Sequence, residues 1–311
     1  MLGTVYYILL NMSIAASLVG LLITALGKVK CIPRFAVYVL WSVVLVRLIF
    51  PFALSSRFSI LNFTGRLVKK VVEVPVPTPA KDSMELTLAN SIGTAKSYFP
   101  VTHKSAVFGT VFNTAALIWI IGTAASILTV IILYYLTGSE LKKASLYRDN
   151  VYISDMIASP LVFGIFKQRI IIPSKLAEDK NQLKYVLMHE NVHIARHDNL
   201  YRFVAVVTAC IHWFNPFVWL FLKLFLTDME LSCDAKAVRN LSGNERKQYA
   251  GTLAELSTGQ TVFMSTAFGK TKVRVRVLNV MSYRKLTTIA VVFSAIFIVA
   301  ATLVLLTNPM K

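Results

Sequence analysis

The stretch His189-Glu190-Asn191-Val192-His193 sets two histidines four residues apart, with a glutamate directly after the first. On a helix, positions i and i+4 share a face, so both imidazoles can offer a lone pair to one ion. Glu190 falls on the adjacent flank, where its carboxylate can take a proton from water. The chemistry this implies is zinc-assisted hydrolysis of an amide, with Glu190 as general base. Two ordinary helix histidines are the plain alternative. The stretch lies in a segment that reads as helix from about Asp179, which is the context the motif requires.

A catalytic zinc takes three protein ligands and keeps a fourth position open. His197 is near in sequence, but on a continuous helix it lies about 12 Å from His189 along the axis. Ligands at about 2 Å from one ion cannot span that distance unless the helix breaks. The longer three-histidine signature is also absent, because Arg196 stands where it needs glycine and Asn199 where it needs histidine. Glu230, within Asp228-Met229-Glu230-Leu231-Ser232-Cys233-Asp234, is the expected third ligand. Asp234 shares its helical face and is expected to accept the free N–H of a ligand histidine, a role for which Asp198 competes. A solvated acidic face is the ordinary alternative for the Glu230/Asp234 pair.

Between the two half-sites runs the apolar stretch 203–226, interrupted by His212, Asn215 and Pro216. Ligands on both sides must meet one ion, so the stretch cannot cross a membrane once. It is expected to return as a hairpin turning at Trp213-Phe214-Asn215-Pro216, each arm about 15 Å long, roughly half a bilayer's hydrocarbon core. Ahead of the zinc helix, Val162 to Phe166 and Arg169 to Ile172 read as short strands that could offer an edge to an extended substrate.

The whole chain has 311 residues, 56% of them hydrophobic and 15% charged, with mean hydropathy +0.62. A soluble domain carries about a quarter charged residues, so the composition points to lipid. Four runs are long enough to span a bilayer: Thr4 to Leu26, Phe35 to Leu54, Ala106 to Leu136, and Thr287 to Leu306. The first has no basic residue ahead of it and no small-residue cleavage site, so it reads as a span rather than a signal peptide. Arg47, inside the second, must face the protein interior or snorkel. Lys28, Lys30 and Arg34 fill the first loop, and Lys270, Lys272, Arg274, Arg276, Arg284 and Lys285 precede the last run. Both patterns put those loops in the cytoplasm and both termini outside.

The net charge of +18 is assigned to membrane flanks rather than nucleic acid, because it is spread around apolar runs without a recognition motif. Three scattered cysteines imply no disulfide framework, and Cys233 is given no role. Val74-Pro75-Val76-Pro77-Thr78-Pro79 is an extended stretch, either a spacer or a sensing surface.

The expected fold is therefore a predominantly α-helical integral membrane protein. It has four transmembrane helices plus a gluzincin-like cytoplasmic zinc metalloprotease domain, with a small β-sheet and a membrane-associated helical hairpin. The expected boundaries are a three-span region at 1–136 with an external loop at about 55–105, the protease domain at 137–285 with its hairpin at about 203–226, and the fourth span with a short external tail at 286–311.

Three longer patterns resemble one family. His189-Glu190-x-x-His193 continues into Ile194-Ala195-Arg196-His197-Asp198-Asn199, followed by Trp213-Phe214-Asn215-Pro216-Phe217-Val218-Trp219 and then Glu230-Leu231-Ser232-Cys233-Asp234. Together they resemble the BlaR/MecR-type antirepressor metallopeptidases. Ser159-Pro160, Phe163-Gly164 and Ile170-Ile171-Ile172-Pro173 are similar to that family's pattern ahead of the zinc helix.

The resemblance implies three spans before a cytoplasmic zinc domain and a fourth after it. It also implies sensing of beta-lactams or other envelope stress at a bacterial cell membrane, and proteolysis of a cytoplasmic repressor. The expected partners are that repressor as substrate, the lipid bilayer, and a sensor protein or a second copy of the chain, with no direct contact to nucleic acid. The family's beta-lactam sensors carry a penicillin-binding domain after the fourth span, whereas this sequence ends five residues past Leu306. Input is then expected through the 55–105 loop, a partner, or a domain beyond this sequence. Two rival readings are a membrane zinc protease for prenylated or quality-control substrates, and a non-catalytic transducer that keeps the site for structure.

Overall fold

Apolar runs that lack an interior proline form the long helices of the protein. The computed structural model describes residues 2–29, 32–51, 55–56, 106–256, 273–284, 287–306 and 308–309. The proline-rich stretch at 74–79, nearly all of the 55–105 loop, Cys31, Lys270 and Lys272 lie outside the described residues. In chain order the main elements are α1 (Leu2–Leu26), α2 (Arg34–Ile49), α3 (Ala106–Leu141), β1 (Ser145–Arg148), β2 (Val151–Ile153), β3 (Leu161–Phe163), β4 (Arg169–Ile172), α4 (Lys180–Ala195), α5 (Asp198–Ile211), α6 (Pro216–Ala237), α7 (Gly243–Leu256), α8 (Val273–Met281) and α9 (Thr288–Leu306). The architecture is mostly helical with one four-stranded sheet.

Among the described residues three helical segments are long and apolar enough to cross a membrane: Leu2–Leu26, Thr110–Leu141 and Ile289–Leu306. The second apolar run, expected to span from Phe35 to Leu54, forms only the 16-residue α2. At about 24 Å this helix is shorter than the roughly 30 Å hydrocarbon core of a bilayer. Pro51 disfavours helix at the residue before it, and Phe50 is extended at φ −103°, ψ 119°.

The chain forms two compact units. The first comprises 1–126, 208–221 and 288–311. In it α2 packs on α1 and α9, with Ala15, Val19 and Ile23 buried on α1, and Val37, Leu40 and Trp41 on α2. Arg47 is buried, and its Nε donates to the carbonyl of Leu305 at 2.7 Å. The turn between α5 and α6 is also held here. Asn215 Oδ1 accepts from Phe217 N at 2.9 Å, and its Nδ2 donates to the hydroxyls of Ser13 (2.7 Å) and Ser17 (2.8 Å). An asparagine N-cap followed by proline at the first helical position is a strong helix start. Trp119 Nε1 donates to the carbonyl of Ile211 at 2.7 Å. Gly122 makes the close approach behind this turn: a Cβ there would lie 2.3 Å from the Trp213 ring.

The second unit comprises 127–207 and 222–287. Its sheet runs β1-β2-β4-β3, antiparallel except for the parallel β2–β4 pair. The unbroken apolar run Ile170-Ile171-Ile172 is a strand buried on both faces. Ile170 and Ile172 pack with Leu183 and Val186 of α4, while Ile171 packs on the other face with Leu141 and Ile157. Gly164, in the β3–β4 turn, has φ +98°, and a Cβ there would meet the Lys167 carbonyl at 2.4 Å. Only glycine adopts that conformation cheaply.

Asp179 caps α4, accepting from the backbone N–H groups of Asn181 and Gln182 at 2.9 and 3.0 Å. Such a cap contributes about 1 kcal/mol. The remaining side of α4 is covered by α7 and α8 through Tyr185, Tyr249, Ala250 and Val280.

Candidate metal centre

Helix α4 carries His189, Glu190 and His193 on its buried side. Helix α6 returns toward it with Glu230, Cys233 and Asp234, and Arg202 of α5 lies 3.4 Å from Glu230. The Nε2 atoms of the two histidines are 3.1 Å apart. Glu230 closes the triangle, its oxygens 3.4 Å from His189 Nε2 and 3.6 Å from His193 Nε2. Three donors bonded to zinc at about 2.0–2.2 Å in a tetrahedron stand about 3.3–3.6 Å from one another. The donor set therefore matches the edges of a zinc site in both spacing and chemistry.

Each histidine is oriented from behind by a different carboxylate. His193 Nδ1 lies 2.7 Å from Asp198 Oδ2, and Asp198 also accepts from Arg196 Nε at 3.1 Å. His189 Nδ1 lies 2.8 Å from the Tyr249 hydroxyl and 3.2 Å from Asp234 Oδ1, while that hydroxyl donates to Asp234 Oδ1 at 2.8 Å. Acceptors at both Nδ1 atoms assign the proton there, which leaves both Nε2 lone pairs facing Glu230. Asp198 and Asp234 are fully buried, so these bonds form without competing water. Sequence reasoning set the two aspartates in competition for one role; the geometry has each behind its own histidine.

Electrostatically the cluster favours a cation. Burial opposes charge on the rings, but the Cys233 thiol and Tyr249 beside His189, and Cys233 and Glu230 beside His193, lift both imidazoles well above their ordinary range. Burial would raise the Glu230 carboxyl, yet His193 and Arg276 hold it well below the usual carboxylate range. Such perturbed groups, gathered in a cleft, are characteristic of functional sites.

Glu190 is almost buried and lines the same cavity of about 450 Å³ as His189, His193 and Glu230. Phe203, Leu226 and Leu253 supply much of its apolar wall. Strand β3 lines it as well and, among the described residues, pairs with β4 alone. Asn199, next to Asp198, donates from Nδ2 to the carbonyls of Val162 and Gly164, both at 2.9 Å. One asparagine thus ties the strand edge to the end of α4.

His197 stays out of the cluster for a reason different from the axial-distance argument. The helix does end, at Ala195, and His197 adopts a left-handed φ of +55° with its side chain exposed.

Three residues near the centre have no site role that the sequence assigns. Cys233 is buried, and together with His189 and His193 it forms a trio whose ligand atoms lie within 4.8 Å of one another. Its Sγ is 3.6 Å from Nδ1 of His189, on the side already held by Tyr249 and Asp234. Tyr249 comes from α7. Arg276, counted above among the basic residues flanking the last apolar run, turns inward from α8. Its Nη2 lies 3.1 Å from His189 Nε2, and its Nη1 lies 3.4 Å from Glu230.

Comparison with known proteins gives the family. The family described as BlaR1 peptidase M56 matches residues 7–280. The chain is 29% identical to the "Methicillin resistance mecR1 protein" of Staphylococcus aureus (strain Mu50 / ATCC 700699) over 119 residues, 37% of this chain and 20% of that protein. It is 31% identical to "Regulatory protein BlaR1" of Bacillus licheniformis over 106 residues, 34% of this chain and 18% of that one. With the Staphylococcus aureus "Regulatory protein BlaR1" it shares 26% over 249 residues, 70% of this chain and 40% of that protein. The matched stretches thus span less than half the length of these relatives.

Proposed function

The chain belongs to the BlaR1 peptidase M56 family, and on that premise we propose that it is a membrane zinc metalloendopeptidase of a signal-transduction system in antibiotic resistance. Zinc is held by Nε2 of His189, Nε2 of His193 and the carboxylate of Glu230. The observation that carries this reading is the triangle of 3.1, 3.4 and 3.6 Å between those donors. When bound, zinc supplies Lewis acidity toward a carbonyl and toward water. Glu190 accepts the proton of the attacking water and passes it to the leaving amine. Asp198 and Asp234, with Tyr249, keep each ligand ring in the tautomer that leaves Nε2 free. The apolar cavity wall excludes bulk water and receives the side chains of an extended peptide.

The substrate in this reading is a cytoplasmic transcriptional repressor, whose loss induces resistance genes after envelope or antibiotic stress. The zinc domain, 137–285, faces the cytoplasm, the hairpin at 203–226 enters the bilayer without crossing it, and four spans leave both termini outside, the 16-residue α2 crossing as a short span that the bilayer meets by local thinning. Support comes from the relatives' names, from the apolar helices, and from the basic flanks of the first and last runs. Full chain purified in detergent should hold about one zinc per molecule. His189→Ala, His193→Ala and Glu230→Gln should each lose it, while Cys233→Ala keeps it. Zinc retained by Glu230→Gln and lost from Cys233→Ala would replace the carboxylate ligand with the thiolate.

A further inference from the structure

Arg276 is partly buried and comes from α8, far along the chain from both histidines. Its fork meets Asp234 twice: Nε donates to Oδ2 and Nη2 to Oδ1, both at 2.8 Å. The remaining nitrogen, Nη1, lies 3.4 Å from Glu230 Oε2. One guanidinium therefore spans the two carboxylates that stand four residues apart on α6. Asp234 is fully buried, and besides this fork it is engaged by Tyr249 and His189. A second tie from α8, Asn279 Nδ2 to the carbonyl of Leu231 at 3.0 Å, fixes the helix against the same stretch of α6.

We propose that Arg276 is a positioning residue of the metal centre, acting through Asp234 on His189 and directly on the Glu230 carboxylate. The proposal rests on the reading of the centre as a zinc site. A planar, five-donor fork can hold both carboxylates in register, which the point charge of lysine cannot do. Without the fork, Asp234 loses two charge-assisted hydrogen bonds and with them its fixed orientation behind His189. Glu230 keeps Arg202 at 3.4 Å on Oε1 but loses the cation on Oε2 that ties it to Asp234.

The sign of one measurement separates positioning from mere proximity. Removing a cation beside the ligand atoms, by charge alone, tightens the binding of a dication. A positioning residue predicts the reverse. Full-length Arg276→Gln and Arg276→Lys in detergent, checked for folding by thermal unfolding, should bind zinc about 10- to 100-fold more weakly than wild type in competition with a chromophoric chelator, the usual scale for an outer partner of a ligand. With cobalt in place of zinc, both variants should give a d–d absorption spectrum altered from wild type, because the ligand geometry has changed. The Asp234→Asn/Arg276→Gln double variant should bind scarcely more weakly than the poorer single one, since the two lie on one path.

Zinc affinity equal to or tighter than wild type, with an unchanged cobalt spectrum, would overturn the proposal while leaving the zinc reading intact. Fully additive losses in the double variant would overturn the route through Asp234. If Arg276→Gln does not fold, Arg276→Lys decides by the same two readouts. A folded wild-type chain that takes up neither zinc nor cobalt overturns both the reading and the proposal.

Discussion

Replacing Asp198 by asparagine tests the arrangement behind the second histidine with little change of shape. Its carboxylate accepts from His193 Nδ1 at 2.7 Å in a fully buried position. A short bond to an ionised acceptor in such a place contributes about 1.5–3 kcal/mol. At about 1.4 kcal/mol per tenfold in affinity, its loss corresponds to a roughly ten- to hundred-fold weaker hold on zinc. Asparagine can still offer a carbonyl oxygen, so the lower half of that range is expected. The assay is zinc competition against a chelator in detergent, with thermal unfolding to confirm the fold. Affinity within twofold of wild type, in a folded variant, would mean that the Asp198 bond neither orients His193 nor sets its basicity. The same chain with Asp234→Asn should lose a similar amount through His189, because the two carboxylates serve different rings. An effect confined to one aspartate would show that the rings are not held independently.

The base and the ligands should fail differently. Glu190→Gln should keep its zinc while peptide hydrolysis falls about 100- to 10,000-fold; parallel loss of zinc would place Glu190 among the ligands. Stability of the metal-stripped protein should follow the shifts at the centre. Both imidazoles are raised in the folded chain, so their contribution is complete below the unfolded value of about 6.5 and is lost as pH climbs through the raised folded values. Glu230 and Asp234 are lowered, so theirs is present above about 4 and is lost as pH falls through the depressed values. Thermal unfolding of chelator-treated protein should therefore peak between about pH 4.5 and 6.5, and a midpoint still rising toward pH 9 would contradict the assignment. Topology reporters fused after residues 180 and 240 should report the same side of the membrane. Opposite sides would make 203–226 a true crossing.

The chemistry was legible because it is local. His189, Glu190 and His193 share one helical turn, and Glu230 and Asp234 share another, so spacing alone brings each group to one face. The strands around Val162 and Ile170 were legible as short β-branched and aromatic runs ended by glycine and proline. The cap and turn at Asn215-Pro216 were visible for a similar reason: the residue types carry the geometry. The second apolar run was read too long, since the cost of a helix running into Pro51 was not weighed against its hydropathy. His197 was dismissed on the premise of a continuous helix, and the helix ends two residues before it.

The sequence by itself pointed to the residues that cluster on α4 and α6, to the apolar runs, and to a turn in the chain between Phe203 and Leu226. Each of these follows from a period, a spacing or a turn residue within about thirty positions. Only the tertiary structure decided that Asp198 and Asp234 divide the two histidines between them, that Tyr249 bridges one pair, and that Arg276 leaves the basic flank to span the carboxylates of Glu230 and Asp234. Apart from the local His193–Asp198 bond, those contacts join residues 15 to 87 positions apart in sequence. No periodicity encodes them, because a buried charge chooses its partner by where packing brings the helices together, and the same arginine on an exposed face would be one more cation beside a membrane.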